Sequence, residues 1–174
     1  MPTGLASCTD MPVPYHLPLD ADHQRRFGIQ EPQPFALADK VRFSELDMLG
    51  HVNNVEYLRW FETARVKSFI AMGLTAYGAP EREPRIVIRH AETDWLAEMH
   101  QDEPYIVTAR VASFRASSFV EWQEVWVRRE TATIKAATMN AVLVTLAPDG
   151  SGRFPLPSAV RAVMQDVHGA QDAR

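Results

Sequence analysis

Between Arg85 and Ala147 four strand-length segments follow one another, at about 85–96, 104–114, 118–129 and 134–147, with no helix-length gap between them. The last three are separated only by Arg115-Ala116-Ser117 and by Glu130–Thr133. A parallel crossover needs about a dozen residues or more, so connections this short impose antiparallel hairpins. Thr108 and Arg110 alternate with Val107, Ala109 and Val111, the period of two of a half-buried strand. The one long helical stretch lies upstream, from about Asn54 to Met72, with Gly73 where a helix would stop. Phe35–Phe43 supplies a first strand ending at Ser44, and Gly78, Pro80 and Pro84 mark a loop. Pro148-Asp149-Gly150 is a turn signal, and Pro157–Val167 reads as a short closing helix. One long helix against an antiparallel sheet of about five strands is an α+β architecture.

At 174 residues the chain has the length of one domain and can bury a core without a disulfide or metal staple. Six of its 12 prolines fall before Phe35, so residues 1–34 read as a Pro-rich irregular arm, 35–167 as the domain and 168–174 as a polar tail. Cys8, the single cysteine, sits in that arm as an incidental thiol. No charged segment precedes a short apolar core, and no stretch approaches the ~20 apolar residues of a membrane span, so the expected location is cytoplasmic. A net charge of −4 with no long basic run argues against a nucleic-acid partner. The spacing of His16, His23, His90, His100 and His168 matches no metal-ligand motif, and no metal is expected. The chain also lacks a G-x-S-x-G elbow, a P-loop and G-x-G-x-x-G.

On the helical stretch Glu56, Arg59, Thr63 and Lys67 share a face that should be solvated. Tyr57, Phe61, Ala64, Phe69 and Met72 gather opposite, with Trp60 and Ile70 on a flank. Glu62 and Arg65 fall on the apolar side, either as a local ion pair or as a buried pair at a subunit interface or beside the active site. The chemistry concentrates just upstream, in Asp47-Met48-Leu49-Gly50-His51-Val52-Asn53-Asn54, a turn feeding the helix N-terminus. Asn53 or Asn54 suits the N-cap. Unpaired amides and the positive end of the helix dipole favour an anion at Asp47, available as nucleophile or as a base for water; the alternative is that Asp47 and the Asn pair only shape the turn. Fifteen of the 18 basic residues are arginines, which reflects either phosphate recognition, with Arg89, Arg110 and Arg115 beside Ser117 and Ser118, or a genome that prefers Arg to Lys. Trp95, Trp122 and Trp126 read as core or interface residues or as ligand contacts.

The pattern Asp47-x-x-Gly50-His51-Val52-Asn53-Asn54-x-x-Tyr57, followed by Phe61-Glu62-x-Ala64-Arg65, resembles the 4-hydroxybenzoyl-CoA thioesterase type of the hotdog-fold superfamily, in its GHVNN branch. His90-Ala91-Glu92-x-Asp94-Trp95-Leu96, the Ser117-Ser118 turn and Pro155-x-Pro157 extend the likeness over about residues 37–164. The resemblance implies a helix wrapped by a curved sheet, pairing into a homodimer or homotetramer with thioester sites at the interface. It implies an acyl-CoA thioesterase without cofactor, CoA being part of the substrate, with Asp47 as catalytic carboxylate and His51, Asn53 and Asn54 beside it. Tyr57, Phe61, Trp95, Arg115, Ser117 and Ser118 would bind substrate. An acyl-carrier-protein thioester as substrate, or a non-catalytic acyl-CoA-binding module, are the alternative readings.

Overall fold

The short connections close as antiparallel hairpins. A computed structural model describes residues 14–173; Cys8 and the first part of the arm lie outside them. The strands are β1 (Phe35–Lys40), β2 (Arg85–Trp95), β3 (Pro104–Arg115), β4 (Ser118–Arg128) and β5 (Thr133–Leu146), in the sheet order β1-β3-β4-β5-β2 and antiparallel throughout that path. The long helix α2 (Asn54–Ala71) lies on the inner face. Tyr57, Phe61, Ala64 and Phe69 meet Val107, Val111, Val125 and Ala141 in one buried cluster. Gln123 Nε2 ties the helix to the sheet by donating to the Phe61 carbonyl at 2.8 Å. Gly73, at φ 72°, takes the left-handed conformation that ends the helix. This is the α+β hotdog arrangement. No helix among the described residues is long and apolar enough to cross a membrane.

The arm, the end of the first strand and the C-terminal tail depart from the sequence expectation. Residues 14–34 are not irregular: α1 (Ala21–Phe27) starts at Asp20, whose side chain accepts from His23 N at 2.8 Å, and stops at Gly28. Gly28 combines φ 112° with a close approach in which an added Cβ would lie 2.3 Å from Thr133 Oγ1. Leu19, Phe27 and Ile29 pack on the outer sheet face against Ala36, Ala38 and Ile106, the alternate residues of β1 and β3. The chain just before α1 covers the outer edge of β1, with His16 N and Leu19 N donating to the Ala38 and Ala36 carbonyls. A seven-residue helix is too short to leave a periodic signal among prolines. β1 also ends at Lys40, short of the expected Phe43, because Phe43–Glu45 turns into a 3-10 helix whose Glu45 carboxylate accepts from Arg42 N at 2.6 Å.

Residues 168–172 are packed against the sheet rather than forming a polar tail. After α3 (Ser158–Asp166), residues 171–172 form β6, parallel to β3 beyond the end of β1, and His168 and Ala170 are buried. Where a bulge between Val111 and Ser113 interrupts the β3–β4 ladder, Val111 N donates to His168 Nδ1 at 3.0 Å. That bond requires a neutral ring, and burial pushes the His168 pKa down to about 4 from 6.5. Between those values the unfolded chain binds the extra proton, so the contribution is full above pH 6.5 and is lost as pH falls toward 4. Unfolding of wild type and His168→Gln by denaturant at pH 7.5 and 4.5 should show a stability difference at the higher pH that shrinks at the lower. A difference that stays constant would refute this role.

Candidate active site

The turn before α2 is built by Asp47. Its backbone N–H donates to the His51 carbonyl at 2.8 Å, Gly50 N donates to the Asp47 carbonyl at 3.1 Å, and Gly50 takes φ 79°. Leu46 and Val52 bridge behind the turn. The Asp47 side chain is exposed, and Oδ1 accepts from Leu49 N at 2.8 Å and from His51 N at 3.3 Å. No hydrogen bond holds Oδ2 among the described residues. One carboxylate oxygen therefore orients the group, and the other is open to react.

Asp47 shares a cleft of about 410 Å³ with His51, Asn54, Tyr57, Trp95 and Glu98. The structure thus brings together five of the residues singled out from sequence: Asp47, His51, Asn54, Tyr57 and Trp95. His51 does not touch the Asp47 carboxylate through its ring. Its Nε2 lies 3.3 Å from Glu98 Oε2, and its ring meets the edge of His100 at 5.2 Å between centroids. Tyr57 is nearly buried, its hydroxyl donating to the Ala97 carbonyl at 3.4 Å, and burial raises its pKa to about 12, so it stays a neutral donor. Asn53 is the N-cap: its Oδ1 accepts from Val55 N at 3.1 Å, and it does not line the cleft.

Phe61 differs from its expected role. Its side chain is 0% exposed within the core cluster, so it offers no surface to a substrate. Arg115, Ser117 and Ser118 lie elsewhere, in a second cleft of about 460 Å³ that also holds Arg89 and Arg153. The side chains of these three arginines have no ion pair or hydrogen bond among the described residues, leaving the cleft strongly positive. By strand register Ser118 is level with Val144 and hence Val87, so this cleft and Trp95 stand at opposite ends of β2, about 26 Å apart at 3.3 Å per residue. Glu98 and Arg153 were missed from sequence. Glu98 carried no motif, and Arg153 follows a segment legible only as a turn. Among the described residues no group of three His, Cys, Asp or Glu is placed to hold a metal ion.

β2 is an edge strand of the sheet, with one side open among the described residues. Among the described residues it pairs with β5 alone, and it is exposed over most of its length, with Val87, Ile88 and Trp95 among its exposed apolar side chains. Val55 and Leu58 of α2 are exposed as well, and both line a groove with Ile88 and Trp95.

Residues 41–164 match the model of the thioesterase-like superfamily. Among solved structures the chain is similar to a thioesterase superfamily protein from a Jannaschia species, at 42% identity over 94% of this chain and 100% of that one, with a TM-score of 0.87. It is also similar to a thioesterase from Thermus thermophilus complexed with coenzyme A and Zn, at 29% identity over 80% and 98% of the two chains, TM-score 0.67. A 4-hydroxybenzoyl-CoA thioesterase variant complexed with 4-hydroxybenzoyl-CoA shares the fold at 18% identity over 74% and 96%, TM-score 0.67. Among curated proteins none matches.

Proposed function

Because this chain belongs to the thioesterase-like superfamily, we propose that it hydrolyses acyl-CoA thioesters to the free acid and CoA, with Asp47 as the catalytic carboxylate. The observation that carries this is the Asp47 side chain itself: one oxygen pinned by two backbone amides, the other free, in a cleft at the positive end of α2. A thioester carbonyl placed there is attacked by a water that Oδ2 deprotonates, giving the acid directly, or by Oδ2 itself, giving an acyl–Asp47 anhydride that water then hydrolyses; in both routes the C–S bond breaks and CoA leaves as the thiolate, which takes up a proton. Asn54, which lines the cleft at the helix start, is assigned the role of donor to the developing oxyanion. His51, held by Glu98, fixes the turn through its backbone. Purified protein should release thiol from acyl-CoAs across aromatic and aliphatic chain lengths; no release from any of them would overturn the reading.

The arginine cleft is proposed to take the phosphates of CoA, since unpaired guanidinium forks suit phosphate oxygens. Within one chain it stands far from Asp47. A two-fold homodimer pairing β2 with its copy in antiparallel fashion covers the exposed edge and carries one subunit's arginine cleft toward the other's Asp47. Each thioester site then draws on both subunits. Co-expressed Asp47→Asn and Arg115→Glu/Arg153→Glu chains test this. Each variant alone should be nearly inactive at low acyl-CoA, whereas a random mixture should recover about a quarter of the wild-type rate, because half the dimers then hold one intact site of two. A mixture no more active than its components would show that the arginines serve their own chain or none.

A further inference from the structure

Glu62 and Arg65 stand three residues apart on α2, yet they form no ion pair with each other. Glu62 is exposed, whereas Arg65 is 6% exposed. Among the described residues Arg65 has no carboxylate within ion-pair distance: its Nη1 donates to Gln123 Oε1 at 3.2 Å and to Met139 Sδ at 3.7 Å. Both acceptors are neutral. Glu121, the buried acid whose charge would bear on Arg65, is 0% exposed with both oxygens unpartnered, and burial raises its pKa to about 8. Glu121 and Glu62 favour the charged form of Arg65 from a distance, but neither forms an ion pair with its guanidinium. Ser68, beside Glu121, also keeps an unpartnered buried hydroxyl. A guanidinium removed from water with no anion in contact is costly, and its unfilled donors suit an anion brought by a ligand.

Arg65 is reachable from one direction. It forms part of the wall of a groove of about 500 Å³ between α2 and β2, with Val55, Leu58, Ile88, Trp95 and Met139 as its apolar lining. Trp95 also lines the Asp47 cleft, so its indole is common to both spaces. From Val55 to Arg65 the helix rises about 15 Å at 1.5 Å per residue, and a helical side chain leans back toward the N-terminus. An acyl chain leaving the thioester at Asp47 therefore runs over apolar surface and ends at a cation. Arg59, ion-paired with Glu56 at 3.1 Å, and Glu62 line the exposed rim of the groove, from which Glu62 favours the charged form of Arg65 without touching it.

We propose that Arg65 is a specificity-determining residue that receives the far carboxylate of a dicarboxylic acyl group esterified to CoA at its other end. This rests on the thioesterase reading and adds a substrate class to it. The chemistry of hydrolysis is unchanged, water adding across the thioester to give the dicarboxylic acid and CoA. The test compares kcat/KM for acyl-CoAs of equal length with and without the second acid, adipyl-CoA against hexanoyl-CoA and suberyl-CoA against octanoyl-CoA. Wild type should prefer the dicarboxylic member of at least one pair by about a hundredfold. Arg65→Met should erase that preference by slowing the dicarboxylic substrate while hydrolysis of the monocarboxylic one continues, and Arg65→Lys should retain part of it. Equal rates within both pairs, or an Arg65→Met protein that keeps the preference or loses both activities equally, would refute the proposal. Should Arg65→Met fail to fold, the wild-type comparison still decides. Hydrolysis of hexanoyl-CoA or octanoyl-CoA without a dicarboxylic preference removes this inference alone; failure to release CoA from any acyl-CoA removes the thioesterase reading with it.

Discussion

Asp47→Asn is expected to lower kcat on every acyl-CoA the protein hydrolyses by about 10²–10⁴-fold, the usual worth of a catalytic acid–base group. The substitution separates structure from chemistry. An asparagine Oδ1 still accepts from Leu49 N and His51 N, so the turn that feeds α2 keeps its two side-chain bonds. The oxygen without a hydrogen bond is replaced by an amide nitrogen, which is neither a nucleophile nor a base at neutral pH. Thermal unfolding should therefore match wild type while thiol release collapses. Wild-type rates from a folded Asp47→Asn protein would exclude the carboxylate from the reaction and leave Asp47 as a turn former only.

Phe61→Ala should have the largest effect on stability, a loss of about 3–5 kcal/mol. For a chain of 174 residues that lowers Tm by roughly 6–20 °C. The ring is wholly enclosed by residues of α2 and the sheet, so truncation leaves a cavity beneath the helix that carries the active site. Because no part of Phe61 reaches either cleft, KM measured well below the lowered Tm should stay near the wild-type value. A raised KM with an unchanged melting curve would reverse this assignment and restore Phe61 as a substrate contact.

The residues that were easy to place from sequence are those whose behaviour is set by near neighbours. Asn53 caps because its side chain reaches the Val55 amide two residues on, and Gly73 ends the helix because it alone there adopts a positive φ at little cost. Asp47 was legible for the same reason, since both amides that hold it lie within four residues. Helix α1 was not, because seven residues carry too little periodicity and its stability comes from Phe27 and Leu19 packing on the outer face of the sheet. The His168 contact spans 57 residues and depends on a β3 bulge that no local pattern announces.

The sequence by itself determined the order of elements, the antiparallel hairpins and the turn that presents Asp47, because short connections, caps and alternating apolar residues act over a few residues. Only the tertiary structure decided which of the marked residues meet. It gathered Asp47, His51, Tyr57 and Trp95 into one cleft, sent Arg115 and Ser118 to the far end of β2, and buried Phe61. It also separated Glu62 from Arg65, which one turn of helix would otherwise pair. The physical reason is register. Which strand residues lie beside α2, and which face the open edge of β2, follows from pairings and packing made between residues far apart in the chain.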